Sequence, residues 1–293
     1  MKICFASILG RPNVGKSSLL NAILGYNVAI VTDTAQTTRE QITGIYTDDD
    51  TQIIFTDTPG IHKPLNKLGE ALNKNAYDAA KDVDVLLFLS PADEKLGKGD
   101  EMILEKIANV KNKIAVISKI DKIRSKPEIL VEKINELHAH GFETILATDV
   151  NDYRSIDALI NEIKKYSYDG EAQYDPEYLT DKSMRFLAKE IIRESAINAL
   201  YEELPHSIAV EVSEFVEEDK HITIDAVIYV KKASQKGMVI GKGGEKIKQI
   251  GKNARLKIAH QFDVPTTLTL KVKIAKKWID DPDALEKFGY SSK

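Results

Sequence analysis

The chain has 293 residues, of which 43% are apolar and 29% charged, with a formal net charge of −4 and a single cysteine. That length predicts about two domains, each large enough to bury its own core, so a monomer is the expected state. One cysteine excludes a disulfide framework, no apolar run is long enough to cross a bilayer, and no leader is read at the N-terminus, so a cytoplasmic protein is expected.

From Met1 to about Tyr166, apolar strand-like runs alternate with helical patterns: Ile3 to Leu9, Ile53 to Thr56, Asp84 to Leu89, Lys113 to Ser118 and Thr144 to Ala147. This is α/β organisation, and it places a first domain at residues 1–166. Cys4 sits in the first run and reads as a buried strand thiol. Directly after that run comes Gly10-Arg11-Pro12-Asn13-Val14-Gly15-Lys16-Ser17, followed by Ser18 and the apolar, helix-like stretch Leu19 to Leu24. Strand, glycine loop and helix in this order make a phosphate-binding loop. The backbone at Gly10, Asn13, Val14, Gly15 and Ser18 turns N–H groups onto a polyphosphate, Lys16 reaches the β- and γ-phosphates, and Ser17 ligates Mg²⁺.

Thr37-Thr38-Arg39 follows, and then Asp57-Thr58-Pro59-Gly60 at the end of the run Ile53 to Phe55. A carboxylate at that strand end can hold Mg²⁺ through water, and the Gly60 N–H can meet a γ-phosphate. Ile61 stands after Gly60 and can neither donate nor accept a hydrogen bond from its side chain. The neighbouring His62 reads as an exposed loop side chain in preference to a general base. Ser118-Lys119-Ile120-Asp121 closes another apolar strand.

Residues 167–180 are rich in Tyr, Asp, Gly and Pro without periodicity and read as a linker. The second unit spans residues 181–293. A helix from Leu179 to Leu200 opens it, with Met184, Leu187, Ile191 and Ala199 near one face and Asp181 or Thr180 as N-cap. Two alternating strands, Ile208 to Phe215 and His221 to Val230, meet at a Glu217-Glu218-Asp219 turn; a glycine cluster, a helix to about Phe262 and a strand from Thr267 to Ile274 complete an α+β domain.

Residues 171–230 carry about nine more acidic than basic side chains, whereas residues 231–277 carry about eleven more basic than acidic. Within the basic stretch, Gly241-Lys242-Gly243-Gly244 lies between Val239-Ile240 and Lys246-Ile247-Lys248. A glycine loop at a helix start lets a sugar-phosphate backbone approach, with N–H groups and lysines on the phosphates and Val239, Ile240 and Ile247 beside the bases. Weak contact with an anionic membrane surface, at its inner face, is the other expectation for so basic a stretch.

The phosphate loop, Thr37-Thr38-Arg39, Asp57-Thr58-Pro59-Gly60 and Ser118-Lys119-Ile120-Asp121 resemble, in this order, the motif series of translation-factor-type GTPases. The resemblance implies that Asp121 reads the guanine hydrogens, that Lys119 packs across the base, and that Thr38, with Thr37 the alternative, meets Mg²⁺ and the γ-phosphate. It also implies that Asn13 can hold a K⁺ ion acting beside the phosphates, which with Lys16, Thr38 and Gly60 would make the catalytic set. Two positions depart from the pattern. Ser118 replaces the usual Asn, giving up its bond to the base and its tie between loops, and Asp149-Val150 replaces the usual Ser-Ala. The order helix, strand, strand, glycine loop, helix, strand resembles a type II KH domain. As a whole the chain resembles the Era family of ribosome-assembly GTPases, which implies an α/β P-loop GTPase domain followed by an α+β type II KH domain. The implied partners are GTP, GDP, ribosomal RNA near the 3′ end of the small-subunit molecule, and the small ribosomal subunit. The alternative, prompted by Ser118 and Ile61, is a nucleotide-sensing RNA scaffold with negligible turnover.

Overall fold

The structure is a computed structural model that describes residues 1–34, 36–201 and 204–290. The N-terminal part is built on a sheet of β1 (Lys2–Leu9), β2 (Ile42–Thr47), β3 (Thr51–Asp57), β4 (Val85–Pro91), β5 (Lys113–Ser118) and β6 (Thr144–Ala147), in the spatial order β2-β3-β1-β4-β5-β6. All neighbours run parallel except β2, which is antiparallel to β3 at the edge. Helices α1 (Lys16–Leu24), α2 (Lys67–Asp78), α3 (Lys98–Ile107), α4 (Pro127–Ala139) and α5 (Tyr153–Lys164) supply the crossovers. Helices cover both faces, so the central strands are apolar throughout: every residue of β4 is buried. Two cores result. One lies under α1 and α5, and the other gathers Leu9, Ile61, Phe88, Ile103 and Leu137 on the opposite face.

Tyr168–Asp169, inside the segment read as a linker, forms a short strand β7 antiparallel to β1. Further along that segment, Leu179 accepts a hydrogen bond from Ile45 N at 2.9 Å, so the connection adheres to the first sheet at both ends. β2 was not anticipated from the sequence; its Thr-rich run, broken by Gly44, carries little apolar periodicity, and pairing with β3 decides it.

The C-terminal part has α6 (Met184–Ala199), β8 (Ala209–Glu218), β9 (His221–Val230), α7 (Ala233–Ile240), α8 (Glu245–Phe262), β10 (Thr266–Ile274) and α9 (Pro282–Phe288). Its sheet has the order β10-β9-β8, with β10 parallel and β8 antiparallel to β9. α6, α7 and α8 pack on one face over Ile192, Ile224, Ile228, Ile250 and Ile258. The cap of α6 is Ser183, which accepts from Phe186 N at 3.2 Å. Thr180 and Asp181, expected in that role, bind Thr43 of the first sheet instead. α7 is a further element not read from the sequence: eight residues with an internal Gly237 have weak helix propensity, and packing of Val239 into the core holds them.

Candidate nucleotide and nucleic-acid sites

β1 ends at the phosphate loop, and α1 begins inside it. Gly10 is required by close approach, since a Cβ there would lie 2.7 Å from the Leu89 carbonyl oxygen. Gly15, at φ +102, is required by the turn into α1. The Lys16 side chain is buried and donates to the carbonyls of Gly10 (3.2 Å) and Arg11 (2.9 Å). Burial lowers its pKa to about 8, against the opposing pull of Asp57.

Ser17 Oγ donates to Asp57 Oδ2 at 2.6 Å and lies 2.9 Å from Thr38 Oγ1. Asp57 is fully buried, and desolvation pushes its carboxyl up to about 6, with Lys16 and Ser17 pulling the other way. Its second oxygen, Oδ1, has no hydrogen-bond partner among the described residues. Two hydroxyls and a carboxylate with an unused buried oxygen form an all-oxygen donor set, which fits Mg²⁺. Thr38 is the threonine at this point. Thr37 Oγ1 donates to the Thr34 carbonyl at 2.6 Å and faces its own loop.

A cleft of about 280 Å³ opens between this loop and the phosphate loop, with Asn13, Gly15, Lys16, Ser17, Ser18, Thr38, Gly60 and Lys119 in its wall. Gly10, Val14 and Asp57 lie behind that wall. Pro12, Ile30, Val31, Asp33 and Gln36 also line the cleft. Except for Pro12 of the phosphate loop they belong to no motif, and only the fold of the loop above brings them to the cleft. Asn13 donates its amide to the Asp33 carbonyl at 2.8 Å, which ties the phosphate loop to the loop above it. Gly60 sits against Pro12, and Ile61 N donates to the Gly10 carbonyl at 3.2 Å. The Ile61 side chain turns into the core and is removed from the cleft.

His62 corrects an expectation. It is half-buried, with one ring nitrogen 2.8 Å from Gln36 Nε2 and the other 3.1 Å from the Gly60 carbonyl, while Asn73 holds its backbone on both sides. Ser118 corrects another: its hydroxyl donates to the Val14 carbonyl at 2.6 Å, so the tie between β5 and the phosphate loop is kept by a shorter side chain. Lys119, at φ +57, reaches the Asn13 carbonyl at 2.6 Å, and Asp121 follows it at the exposed rim, outside the cleft wall. The Asp149 carboxylate is taken by Arg124 and by Asn151 N, which hold its pKa down; the neighbouring Val150 is exposed.

In the second domain, Gly241, Gly243 and Gly244 all have positive φ (74°, 60° and 79°) and carry the chain from α7 to α8. A Cβ at Gly241 would meet Lys246 Cβ at 2.7 Å, whereas Gly243 faces open space. Lys242 and Lys248 are exposed, and Ile240 and Ile247 are half-buried at the core edge. Val239, expected beside the bases, is completely buried and belongs to the core beneath the loop. Lys246 Nζ stands 5.2 Å above the ring of the exposed Tyr201, a neighbour that no sequence motif announced.

The two domains meet at the residues around Thr38. Arg193 of α6 donates to the Thr37 carbonyl at 2.5 Å and is held by both carboxylate oxygens of Glu190. Arg39 donates to the carbonyls of Ile208 (2.6 Å), His206 (3.3 Å) and Pro205 (3.4 Å), with its guanidinium 5.6 Å and 5.4 Å from the Trp278 and Tyr290 ring centres. Lys189 bridges Glu40 at 2.5 Å. Trp278, Phe288 and Tyr290 form one cluster with Leu68 and Leu72 of α2. No helix among the described residues is long and apolar enough to cross a membrane.

Residues 5–122 match the family described as 50S ribosome-binding GTPase, and residues 203–279 match the KH domain family. GTPase Era of Mycoplasmopsis agalactiae is 60% identical over 291 residues, covering 99% of this chain and 100% of that protein. GTPase Era of Mycoplasmopsis pulmonis is 53% identical over 292 residues, covering 98% and 99%. A crystal structure of Era in complex with MgGDPNP and nucleotides 1506–1542 of 16S ribosomal RNA superposes with a TM-score of 0.94 at 36% identity, covering all of both chains. A tyrosine-to-alanine variant of Aquifex aeolicus Era bound to GDP and AlF4⁻ matches with the same score, identity and coverage.

Proposed function

The chain belongs to the Era family of GTPases, and from that premise we propose that it is a GTP-hydrolysing switch whose second domain engages the 3′ end of small-subunit ribosomal RNA during maturation of that subunit. The observation that carries the reading is the convergence of Ser17, Thr38 and the half-satisfied Asp57 on one cleft, in a chain whose other domain presents a lysine-flanked glycine turn.

In this reading Lys16 exchanges the Gly10 and Arg11 carbonyls for phosphate oxygens, which suit its buried charge better than two carbonyls do. The backbone N–H groups of Asn13 to Ser18 line the α- and β-phosphates, and the Gly60 N–H meets the γ-phosphate. Ser17 and Thr38, with Asp57 through water, hold Mg²⁺. Bound there, Mg²⁺ neutralises charge on the β- and γ-phosphates. Lys119 lies along the guanine and the exposed Asp121 accepts its two hydrogens. Asn13, whose nitrogen is used on Asp33, would hold K⁺ through its oxygen, and a cation held there would stabilise charge developing on the phosphates. With Ile61 in the core, the intrinsic rate is slow and rises in K⁺ over Na⁺. Equal single-turnover rates in the two salts would remove K⁺ from the mechanism.

On the second domain, Gly241 to Gly244 receive the RNA backbone, Lys242, Lys246 and Lys248 its phosphates, and Ile240 and Ile247 the bases. Phosphate release with and without a 3′-end RNA, using Lys16→Ala as the blank, tests the enzyme. RNA affinity compared between GDP and a non-hydrolysable GTP analogue tests the switch, and identical affinities refute it. Salt-dependent binding to RNA but not to anionic vesicles separates RNA recognition from contact with a membrane surface.

A further inference from the structure

The hydroxyl of Thr38 can stay beside Ser17 only if its backbone is held, and among the described residues of its own loop none bonds the Thr37–Thr38 peptide. The Thr37 side chain is turned back onto Thr34 and Thr32. The grip comes instead from the second domain, through the Thr37 carbonyl, which Arg193 Nη2 takes at 2.5 Å. A peptide group is planar, so fixing that carbonyl fixes the direction of the Thr38 N–H and the place of the Thr38 Cα in the same plane. Arg193 is itself preset: it has no solvent exposure, and Glu190, one turn earlier on α6, fixes its guanidinium plane through a two-point ion pair. On the other side of Thr38, Arg39 and Glu40 are also bound by second-domain groups, namely the Pro205, His206 and Ile208 carbonyls and Lys189. Thr38 is the residue left between these anchors with its hydroxyl on Ser17.

We propose that Arg193, contributed by the RNA-binding domain, is a positioning residue for GTP hydrolysis, orienting the Thr37–Thr38 peptide so that the Thr38 hydroxyl remains beside Ser17 and Asp57. The inference rests on the role given to Thr38 above. It makes the GTP form of the site complete only while the second domain is docked. By linkage, whatever draws Thr38 into the cleft strengthens that docking by the same factor.

The test uses the full chain carrying Glu190→Gln together with Arg193→Met, because Arg193→Met alone would strand a buried carboxylate. Thermal melting, GDP affinity, affinity for a non-hydrolysable GTP analogue at fixed Mg²⁺, and single-turnover hydrolysis are read in parallel with Thr38→Ala. Losing one charged hydrogen bond to the switch predicts about tenfold or greater loss in both hydrolysis and analogue affinity, with GDP affinity unchanged. Arg193→Lys keeps the charge against Glu190 but not the fork, and should recover part of the loss. It also serves as the reading variant if the double variant fails to fold. Wild-type hydrolysis and analogue affinity in the Arg193 variants, with Thr38→Ala impaired, overturn the inference. An unimpaired Thr38→Ala overturns the Thr38 reading instead.

Discussion

Replacing Gly60 by alanine adds one methyl group at the point where the Asp57-Thr58-Pro59-Gly60 turn touches the phosphate loop. That methyl would lie 2.6 Å from both the N and the Cα of Pro12 and 2.8 Å from its Cγ, where ordinary contact begins near 3.4 Å. The first two atoms are backbone, so no side chain can swing aside to make room. The shortfall is about 0.8 Å, and relief requires the two loops to part by roughly that distance. Parting strains the Ile61 N to Gly10 carbonyl bond of 3.2 Å and carries the Gly60 N–H away from the place proposed for the γ-phosphate. A displacement near 1 Å from reactive geometry costs about 10²-fold in rate, and overpacking of this kind costs about 1–3 kcal/mol in stability. We therefore expect single-turnover GTP hydrolysis to fall about 10²-fold and GTP affinity to fall more than GDP affinity. Gly97→Ala is the control, because among the described residues nothing lies within 4 Å of a Cβ there. Phosphate release and fluorescent-nucleotide titration measure both quantities. A Gly60→Ala protein hydrolysing GTP within twofold of wild type would refute the steric argument.

Three further outcomes are expected. Asp121→Asn should lower GTP affinity at least tenfold and raise XTP affinity, read in competition with ATP and GDP, because an amide complements the xanthine edge that a carboxylate repels. Gly243→Asp should weaken 3′-end RNA binding about tenfold and spare nucleotide affinity, as the position opens to solvent and a carboxylate there repels phosphates; RNA binding at wild-type strength would refute the loop assignment. The third outcome concerns pH in the nucleotide-free protein. Burial raises Asp57 to about 6, so the folded state holds that proton more tightly than the unfolded chain, and stability falls as pH rises from about 4 to about 6. Burial lowers Lys16 to about 8, so the unfolded chain holds that proton more tightly, and stability rises from about pH 8 to about 10.5. The two contributions leave a trough near neutral pH, where Mg²⁺ and GTP should give their largest rise in melting temperature; a rise of equal size at pH 5 and pH 7 contradicts the assignment.

The phosphate loop, the Asp57 and Ser118 tetrapeptides and the glycine turn were legible in the sequence because each concentrates its chemistry in a few adjacent residues. Strands β4 and β5 were legible too, since burial on both faces leaves an unbroken apolar run. Among the elements missed are ones with weak local preference: β2 exists through its pairing with β3, β7 through its pairing with β1, and α7 through one buried valine. The side on which Val239 lies is not legible in the sequence, because apolar character does not say which side of a helix the core lies on. The tie made by Ser118 is likewise invisible in the sequence, since only the fold brings its hydroxyl to the Val14 carbonyl, 104 positions away.

The amino-acid sequence by itself determined the two local motifs, a phosphate-type loop at a helix start and a lysine-flanked glycine turn of KH type, since both use short contiguous backbone. The tertiary structure alone decided how they are joined. Arg193 and Thr37 are 156 positions apart, and Arg39 and Ile208 are 169 apart. No local pattern encodes such a contact, because a buried arginine is written with the same letter as a solvated one. Its meaning comes from the carbonyl that the fold brings to it.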